Sequence, residues 1–442
     1  MLLTEYRLDL VIQALRTALK MEHPADAVLR HFFQEERIGS NERSLVAETL
    51  FGTLRHRLFL EYACKLEEKG IASARRMALA YWVKFGGYNL RELEPLLKVK
   101  EADWLGKVKG IVVDELPLSI QAELPDWIIE KLRVLHNDDA ILLLGLSMQQ
   151  PAPLDLRVNT HLAGRNEVLQ ALQSEGMDAQ ATPYSPMGIR LKYKPALNRH
   201  ALFLTGKFEV QDEGSQLLGL LLAPKRNDMV VDFCAGAGGK TLMLGAMMNS
   251  QGRLYAWDIS EKRLTNLKPR LKRSGLSNVQ PQLIAHENDN KVKRLAGKID
   301  RVLVDAPCSG LGTLRRNPDL KFRQSPQSVA ELTVKQSAIL ASAARLLKKG
   351  GRLVYATCSL LQEENQGIVE AFLATHPDFS LLPAGEVLHQ QHIDLEMGDY
   401  LQLTPQSHDT DGFFAAVLER NKPAVTPVAD ILPTTAPSSP AQ

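Results

Sequence analysis

The stretch VVDFCAGAGGK (residues 230–240) predicts an apolar strand that runs into a glycine-rich turn and then into a helix. Glycines let the backbone of such a turn approach a ligand closely, and the helix N-terminus offers free N–H groups. Asp258 ends the next predicted strand, where its carboxylate can accept hydrogen bonds from two ribose hydroxyls. The third spaced glycine of a dinucleotide site is missing, because Thr241 stands there. Together these features favour a cofactor that contains adenosine.

Strands and helices alternate regularly from residue 229 onward. After the glycine turn, strands are predicted at LYAWD (254–258), LIAH (283–286), VLVDAP (302–307) and RLVYATC (352–358). Such alternation is typical of a parallel, doubly wound sheet covered by helices. We therefore expect a Rossmann-like α/β fold, closed by FFAAVLER (413–420) as an antiparallel edge strand.

The rest of the chain divides by periodicity and composition. Residues 1–140 are predicted to be an all-α domain, because apolar residues recur there at helical spacing. Residues 151–210 read as strand, helix and strand, which indicates a small α/β subdomain, and residues 211–420 hold the main sheet. Residues 421–442 are rich in Pro, Thr and Ala and are predicted to be a disordered tail.

The composition, 442 residues with 45% hydrophobic and 24% charged, indicates a soluble globular protein. No apolar run approaches the roughly 20 residues of a membrane span, and no secretory signal is visible. The four cysteines are scattered without a Cys-x-x-Cys pair, which argues against a metal site and a disulfide framework. We expect a cytoplasmic monomer without a metal or a membrane partner.

Charge is unevenly distributed, although the net charge is only +2. Residues 262–323 carry 15 Lys and Arg against 5 Asp and Glu, whereas residues 1–150 carry 20 against 22. A basic surface of this kind suits a polyanion such as nucleic acid. The alternative is a set of solvated helix faces, which is the commoner meaning of charge runs.

Two cysteines end strands of the predicted sheet: Cys308 in DAPCSG and Cys358 in ATCS. Because ligands bind outside the carboxyl ends of strands in open α/β sheets, both sulfurs are expected to face the cleft of the glycine turn. A thiolate can add to carbon 6 of a pyrimidine and make carbon 5 nucleophilic, once the base is out of its stack. S-adenosylmethionine then fits better than a nicotinamide as the cofactor.

Other residues near these motifs have simpler interpretations. Free cysteines are commonly small buried hydrophobes, and we apply that interpretation to Cys64 and to the side chain of Cys234. Asp305 stands at a strand tip, where we expect it to contact the base or the cofactor.

Several segments together resemble the RsmB/Sun family of RNA cytosine-5 methyltransferases. They are VQDEGSQL, DFCAGAGGKT, DAPCSGLGTLRRNPDLKFR, ATCSLLQEENQGIVEAFL and DGFFAAVLER. The resemblance implies a Rossmann-like methyltransferase domain, a small RNA-binding subdomain before it, and a NusB-like helical domain in front. It also implies S-adenosylmethionine as the cofactor and RNA, ribosomal RNA above all, as the partner.

The resemblance also implies roles for individual residues. Cys358 corresponds to the nucleophile and Cys308 to the cysteine that assists product release, while Asp305 lies near the methyl-transfer centre. Asp258 is expected on the ribose, and Asp289 is the candidate for the adenine side. The cofactor loop maps onto Cys234, Ala235, Gly236, Ala237, Gly238, Gly239 and Lys240.

One residue departs from the family pattern, because Ala237 stands where the family usually has proline. Alanine can adopt the same φ at a modest entropic cost, so we expect cofactor binding to survive. The target need not be the family's best-known ribosomal site. A transfer-RNA methyltransferase and a non-catalytic RNA-binding assembly factor remain alternatives, whereas a DNA target is disfavoured by the second cysteine motif.

Overall fold

The computed structural model describes residues 2–66 and 72–422. The predicted tail lies outside the described residues from residue 423 onward. In the described part of the chain before residue 150, the regular elements are helical. The helices are α1 (Glu5–Ala18), α2 (Ala25–Glu35), α3 (Ser40–Arg55), α4 (Arg57–Cys64), α5 (Ala74–Lys84), α6 (Leu90–Leu93), α7 (Glu101–Gly110), α8 (Leu118–Gln121), α9 (Asp126–Leu132) and α10 (Asp138–Met148).

The first seven helices share one hydrophobic core, which includes Trp82 and Trp104. Each indole N–H has a partner: Trp82 donates to Thr49 Oγ1 at 2.9 Å and Trp104 to the carbonyl of Ala63 at 3.1 Å. Helices α8–α10 pack instead around a separate apolar cluster, which includes Leu311 from the segment after Cys308. The helical region therefore contacts a segment that belongs to the predicted cleft.

A small antiparallel sheet follows, with strand order β2-β3-β1-β4. Helices α11 and α12 accompany it, and Leu156, Ile189 and Phe208 lie in its core. The elements are β1 (Leu154–Val158), α11 (Arg165–Ser174), β2 (Ala179–Ala181), β3 (Gly188–Leu191), α12 (Ala201–Leu204) and β4 (Phe208–Val210). The predicted small α/β unit is confirmed, with β2, α12 and β4 as additional elements.

The main sheet has eight strands, with the order β10-β12-β9-β8-β5-β6-β7 and with β11 also paired to β12. Its strands are β5 (Met229–Asp232), β6 (Arg253–Asp258), β7 (Val279–Leu283), β8 (Ile299–Asp305), β9 (Leu347–Thr357), β10 (Phe379–Leu382), β11 (Tyr400–Leu403) and β12 (Phe413–Arg420). Strands β5 to β9 pair in parallel. Successive residues such as Val230 and Val231 enter different cores on the two faces. The predicted doubly wound, Rossmann-like fold is confirmed.

Helices cover both faces of this sheet. The helices of this region are α13 (Glu213–Leu222), α14 (Gly239–Met247), α15 (Glu261–Ser274), α16 (Asn290–Arg294), α17 (Leu320–Arg323), α18 (Pro326–Ala344), α19 (Gln366–Thr375), α20 (Ala384–His389) and α21 (Pro405–His408). Residues of α13 and α14 enter one core, and residues of α18 and α19 enter the other.

Two strand predictions were wrong in detail. The strand predicted at LIAH lies four residues earlier, at β7, and contains Pro281. Proline is tolerated there because β7 is the edge strand, where a missing N–H leaves no ladder bond unmade. The segment 413–420 is antiparallel as predicted, but β12 is an interior strand flanked by β9, β10 and β11. Its residues are buried without alternation from Phe413 to Leu418, as expected for a strand covered on both faces.

The helical region is attached to the segment after Cys308 through a buried ion pair. Lys321 Nζ donates to the carbonyls of Arg55 at 2.8 Å and Glu123 at 2.7 Å, and lies 3.4 Å from the Glu123 carboxylate. Burial raises the pKa of Glu123, and burial lowers the pKa of Lys321, since each ion leaves water. The ion pair thus links the N-terminal helices to the segment that follows Cys308.

Candidate active site

The carboxyl ends of β5, β8 and β9 meet at the point where the strand order reverses. β5 is followed by the glycine turn, β8 by Cys308 and β9 by Cys358. This topological switch point is where open α/β sheets bind their ligands. The sulfurs of Cys308 and Cys358 lie 3.4 Å apart, and both side chains are partly exposed.

Both cysteines are free thiols. The pKa of the Cys308 thiol is raised well above its usual value, first by its hydrogen bond with Cys358 and then by burial. Negative charge on Cys358 and on Glu364 raises this pKa further. Cys308 is therefore held as a neutral thiol beside its neighbour.

A lysine and an aspartate form an ion pair at the same edge of the sheet, and the lysine interacts electrostatically with Cys358. Lys240, from the first turn of α14, donates to Asp305 at the end of β8 over 2.7 Å. Burial by itself would lower the pKa of the Lys240 ammonium, but the charge of Asp305, their hydrogen bond and negative charge on Cys358 outweigh it. The pKa is raised, so Lys240 carries positive charge at neutral pH beside Cys358 and Asp305.

The glycine turn forms a cradle at the N-terminus of α14. Gly236 and Gly238 have φ values of +56° and +84°, in the left-handed region that L side chains rarely adopt. A Cβ at Gly238 would overlap Leu267, whereas the space around Gly236 is open within 4 Å. Gly236 therefore leaves its backbone accessible to a ligand, and Gly238 allows close packing of the turn against α15.

Two buried aspartates support this turn. Asp258 accepts the N–H of Gly236 at 2.8 Å and that of Ser260 at 2.7 Å, so it ties the turn to the end of β6. Asp232 accepts the hydroxyl of Thr241 at 2.6 Å, while its second oxygen is buried without a partner. Burial raises the pKa of Asp232 to about 7.

Two arginines that the sequence analysis did not single out donate hydrogen bonds to backbone carbonyls of the glycine turn. Arg157 of β1 donates to the carbonyl of Gly239 at 2.5 Å, and Arg270 of α15 donates to the carbonyl of Ala237 at 2.7 Å. Arg157 is almost completely buried, and an arginine inside the apolar strand LDLRVN was the available clue. The small α/β unit therefore contacts the glycine turn directly.

The remaining predicted site residues occupy different environments. Asp289 is the N-cap of α16 in the loop after β7, and its carboxylate accepts the N–H groups of Ala285 at 2.9 Å and Lys291 at 2.8 Å. Cys64 is fully buried in the helical core. Burial raises the pKa of the Cys234 thiol far above the usual range, and the carboxylates of Asp305 and Asp232 add to the shift.

The cations of the basic segment, residues 262–323, differ in exposure between its two halves. Near Cys308 its cations turn inward: Arg315 pairs with Asp409 at 2.8 Å, and Arg316 with Asp411 at 2.6 Å. These two arginines are held in ion pairs and do not add to a free basic surface, because the pairs join the segment after Cys308 to the loop before β12. Exposed cations remain on α15 and α16, namely Lys262, Arg263, Lys268, Lys272, Lys291, Lys293 and Arg294.

The described residues contain neither a membrane-spanning helix nor a cluster of metal ligands. Within residues 2–66 and 72–422, no helix has the length and apolarity needed to cross a membrane. The same described residues contain no group of three or more His, Cys, Asp or Glu side chains that could hold a metal ion.

Comparison with known proteins gives two family matches. The model described as 16S rRNA methyltransferase RsmB/F matches residues 219–419, and the RsmF/B-like ferredoxin-like domain matches residues 124–198. A probable ribosomal RNA small subunit methyltransferase B of Synechocystis sp. is 31% identical and aligns with 93% of this chain and 99% of its own. A ribosomal RNA small subunit methyltransferase B of Yersinia pestis is 29% identical over 92% of this chain and 97% of its own.

Solved structures agree with this assignment. The crystal structure of PH0851 aligns with 95% of this chain and 99% of its own, with a TM-score of 0.76 and 25% identity. NSun6 from Pyrococcus horikoshii, solved with SFG, covers 67% of this chain and 98% of its own, with a TM-score of 0.59 and 22% identity, and so shares the fold. The chain therefore belongs to the RsmB/F family of rRNA methyltransferases, which depend on S-adenosylmethionine.

Proposed function

We propose that this protein transfers a methyl group from S-adenosylmethionine to carbon 5 of a cytosine in ribosomal RNA, through a transient bond between Cys358 and carbon 6. The observation that carries the proposal is the 3.4 Å separation of Cys308 and Cys358 at the switch point, beside the glycine turn. Carbon 5 of a pyrimidine is not nucleophilic by itself, and a thiolate bonded to carbon 6 makes it so. Two thiols beside a cofactor turn suit that chemistry.

The electrostatics support Cys358 as the nucleophile. Its sulfur interacts electrostatically with the Lys240 ammonium. Cys358, burial and Glu364 raise the pKa of Cys308 and keep it a neutral thiol, so the two neighbouring sulfurs do not carry negative charge together. One sulfur thus attacks while the other remains neutral.

The proposed sequence of bonds assigns a role to each cysteine. The electron pair of Cys358 Sγ forms the bond to carbon 6, and the electron pair of the carbon 5–carbon 6 double bond becomes available at carbon 5. Carbon 5 uses this pair to bond the methyl group, whose bond to the donor breaks with its electrons left on the donor's sulfur. Loss of the carbon 5 proton to a base restores the double bond to carbon 6, and the Cys358–carbon bond breaks with its electrons returning to sulfur. Cys308, 3.4 Å away, assists this release.

The residues present fit S-adenosylmethionine, which when bound supplies an electrophilic methyl group. The open cradle at Gly236 and the free N–H groups at the start of α14 can hold it, and the loop from Cys234 to Lys240 lines that place. Each oxygen of Asp258 keeps a lone pair for a ribose hydroxyl after accepting a backbone N–H. We assign the adenine side to Asp289 and the methyl-transfer centre to Asp305.

We propose RNA as the partner on two grounds. Relatives that align along nearly their whole length are named for small-subunit ribosomal RNA. Exposed lysines and arginines of α15 and α16 can also neutralise phosphates. We further propose that 1–140 is a NusB-like domain, that 151–210 binds RNA and that 211–420 is the methyltransferase domain of a cytoplasmic monomer.

The proposal is tested by locating the product. Purified protein, small-subunit ribosomal RNA and S-adenosylmethionine with a labelled methyl group are incubated, and digested nucleosides are analysed by mass spectrometry. We expect labelled 5-methylcytidine, and bisulfite mapping of RNA from a strain without the gene should lose one protected cytosine. Transfer RNA is incubated in a parallel reaction, and label in transfer RNA but not in ribosomal RNA would indicate a transfer-RNA methyltransferase instead. Absence of label in both RNAs would indicate a non-catalytic RNA-binding protein.

A further inference from the structure

A buried carboxylate connects the two cysteine loops. Glu364 lies six residues after Cys358 and is completely buried. Its Oε1 accepts the backbone N–H of Ser309 at 2.8 Å and the amide of Gln336 at 2.9 Å. Its Oε2 accepts the hydroxyl of Ser309 at 2.5 Å and the hydroxyl of Ser359.

The two serines connect Glu364 to the site, because each directly follows one of the two cysteines. Ser309 comes after Cys308, and Ser359 comes after Cys358. One side chain therefore holds both loops, and it uses four hydrogen bonds to do so. The backbone of Glu364 is fixed as well, because its carbonyl accepts the Tyr355 hydroxyl at 2.7 Å. Burying a carboxylate is costly unless it is hydrogen-bonded. The donors that surround the Glu364 carboxylate therefore indicate a specific role for it.

The chemistry of the four partners adds an electrostatic consequence. All of them are neutral donors: one backbone N–H, one side-chain amide and two hydroxyls. The negative charge of Glu364 is thus stabilised without an ion pair and still acts on its surroundings. It is one of the charges that raise the pKa of Cys308.

We propose that Glu364 is a positioning residue that holds the sulfurs of Cys308 and Cys358 at their 3.4 Å separation through its hydrogen bonds to Ser309 and Ser359. This inference rests on the proposed function. Glu364 would act through Ser309 and Ser359 and would touch neither the base nor the methyl donor.

The test compares Glu364→Gln with Glu363→Gln. The control removes a neighbouring carboxylate that is 35% exposed and pairs with Lys131 at 2.8 Å, away from the cysteines. Alkylation of Cys308 and Cys358 by iodoacetamide is followed from pH 6 to pH 11 by peptide mass spectrometry, without RNA or methyl donor. In Glu364→Gln we expect the midpoint for Cys308 to fall below its value in Glu363→Gln, because one of the charges that raise the pKa of Cys308 is removed.

The pH midpoint separates the proposed role from a structural one. General loosening of the site would expose both sulfurs and lower the Cys308 midpoint in Ser309→Ala as well as in Glu364→Gln, whereas loss of the Glu364 charge lowers it in Glu364→Gln alone. A Cys308 midpoint equal to that of Glu363→Gln would overturn the electrostatic role. The alkylation measurement needs no turnover, so its outcome does not depend on whether the protein methylates RNA. The proposed function is refuted separately, by absence of methyl transfer in the unmodified protein.

Turnover tests the positioning role. We expect Glu364→Gln to lower kcat on the order of 100-fold, since a displacement near 1 Å can have that effect, with KM for RNA within about threefold. Ser309→Ala keeps the charge and removes one hydrogen bond, so kcat should fall about tenfold with an unchanged Cys308 midpoint. This variant also serves if Glu364→Gln does not fold. Normal kcat in a folded Glu364→Gln, or in Ser309→Ala, would overturn the positioning role.

Discussion

Gly312 gives a sharp prediction about how the nucleophile is held, because its replacement by alanine would push directly on the Cys358 loop. Its N–H donates to the carbonyl of Cys358 at 2.8 Å, and its own carbonyl accepts the N–H of Gly412 at 2.8 Å. A Cβ at this position would collide with the carbonyl oxygen of Gly412. It would also lie 2.7 Å from the carbonyl carbon of Gly412 and 2.9 Å from the carbonyl oxygen of Cys358.

The magnitude follows from these distances. Two non-bonded carbons normally approach to about 3.5 Å, so one backbone segment must move by about 0.8 Å. Neither obstacle can rotate away, because both belong to the main chain. Overpacking of this kind costs about 1–3 kcal/mol of unfolding free energy. If the Cys358 loop yields, a displacement near 1 Å lowers kcat on the order of 100-fold.

The assay measures methyl transfer to RNA and thermal unfolding on the same preparations. Gly106→Ala is the matched control, because this glycine is exposed within α7 and has no atom within 4 Å of an added Cβ. We expect the control to gain about 0.5–1 kcal/mol of stability through helix propensity and to keep its activity. A folded Gly312→Ala protein with unchanged kcat would refute the claim that Cys358 depends on this contact.

Three further predictions concern stability and cofactor binding. Lys321→Met should lower the free energy of unfolding, measured in urea, by about 3–5 kcal/mol, because Glu123 is left buried without its cation. A second change, Glu123→Gln, should recover part of this loss, and a loss below about 1 kcal/mol in Lys321→Met would contradict the prediction. Asp232 has a pKa of about 7 in the folded protein against 3.8 as its ordinary value, so its stabilising effect is complete below pH 3.8 and is lost as pH rises through 7. The stability difference between the unmodified protein and Asp232→Asn should therefore change by roughly 4 kcal/mol from pH 4 to pH 8, and a flat difference would contradict the raised pKa. Arg270→Ala removes the hydrogen bond to Ala237 and should weaken S-adenosylmethionine binding about tenfold by calorimetry, whereas unchanged affinity would show that the turn needs no support there.

The main sheet was predictable because the patterns that indicate its strands and helices are local in the sequence. An apolar strand, a glycine turn and a following helix are contiguous, and their alternation indicates parallel pairing. The edge assignment for 413–420 failed because β10 and β11 are short strands with weak patterns of their own. The position of β7 failed because Pro281 counts against a strand until the edge location is known.

The site was predictable where neighbours in space follow adjacent strands. Cys308 and Cys358 end β8 and β9, so topology alone brings them to one edge. Arg157 and Glu364 were not predictable as site residues, because their importance lies in contacts with distant segments. The inward pairing of Arg315 was missed for the same reason, since its partner Asp409 lies 94 residues away.

The central claim is that sulfur at position 358 bonds transiently to the pyrimidine. Cys308→Ala and Cys358→Ala proteins are incubated with RNA and S-adenosylmethionine and separated on denaturing gels. Loss of the releasing thiol should leave a protein–RNA adduct in Cys308→Ala, whereas Cys358→Ala should yield neither adduct nor methylated RNA. An adduct that forms without Cys358 would contradict the account.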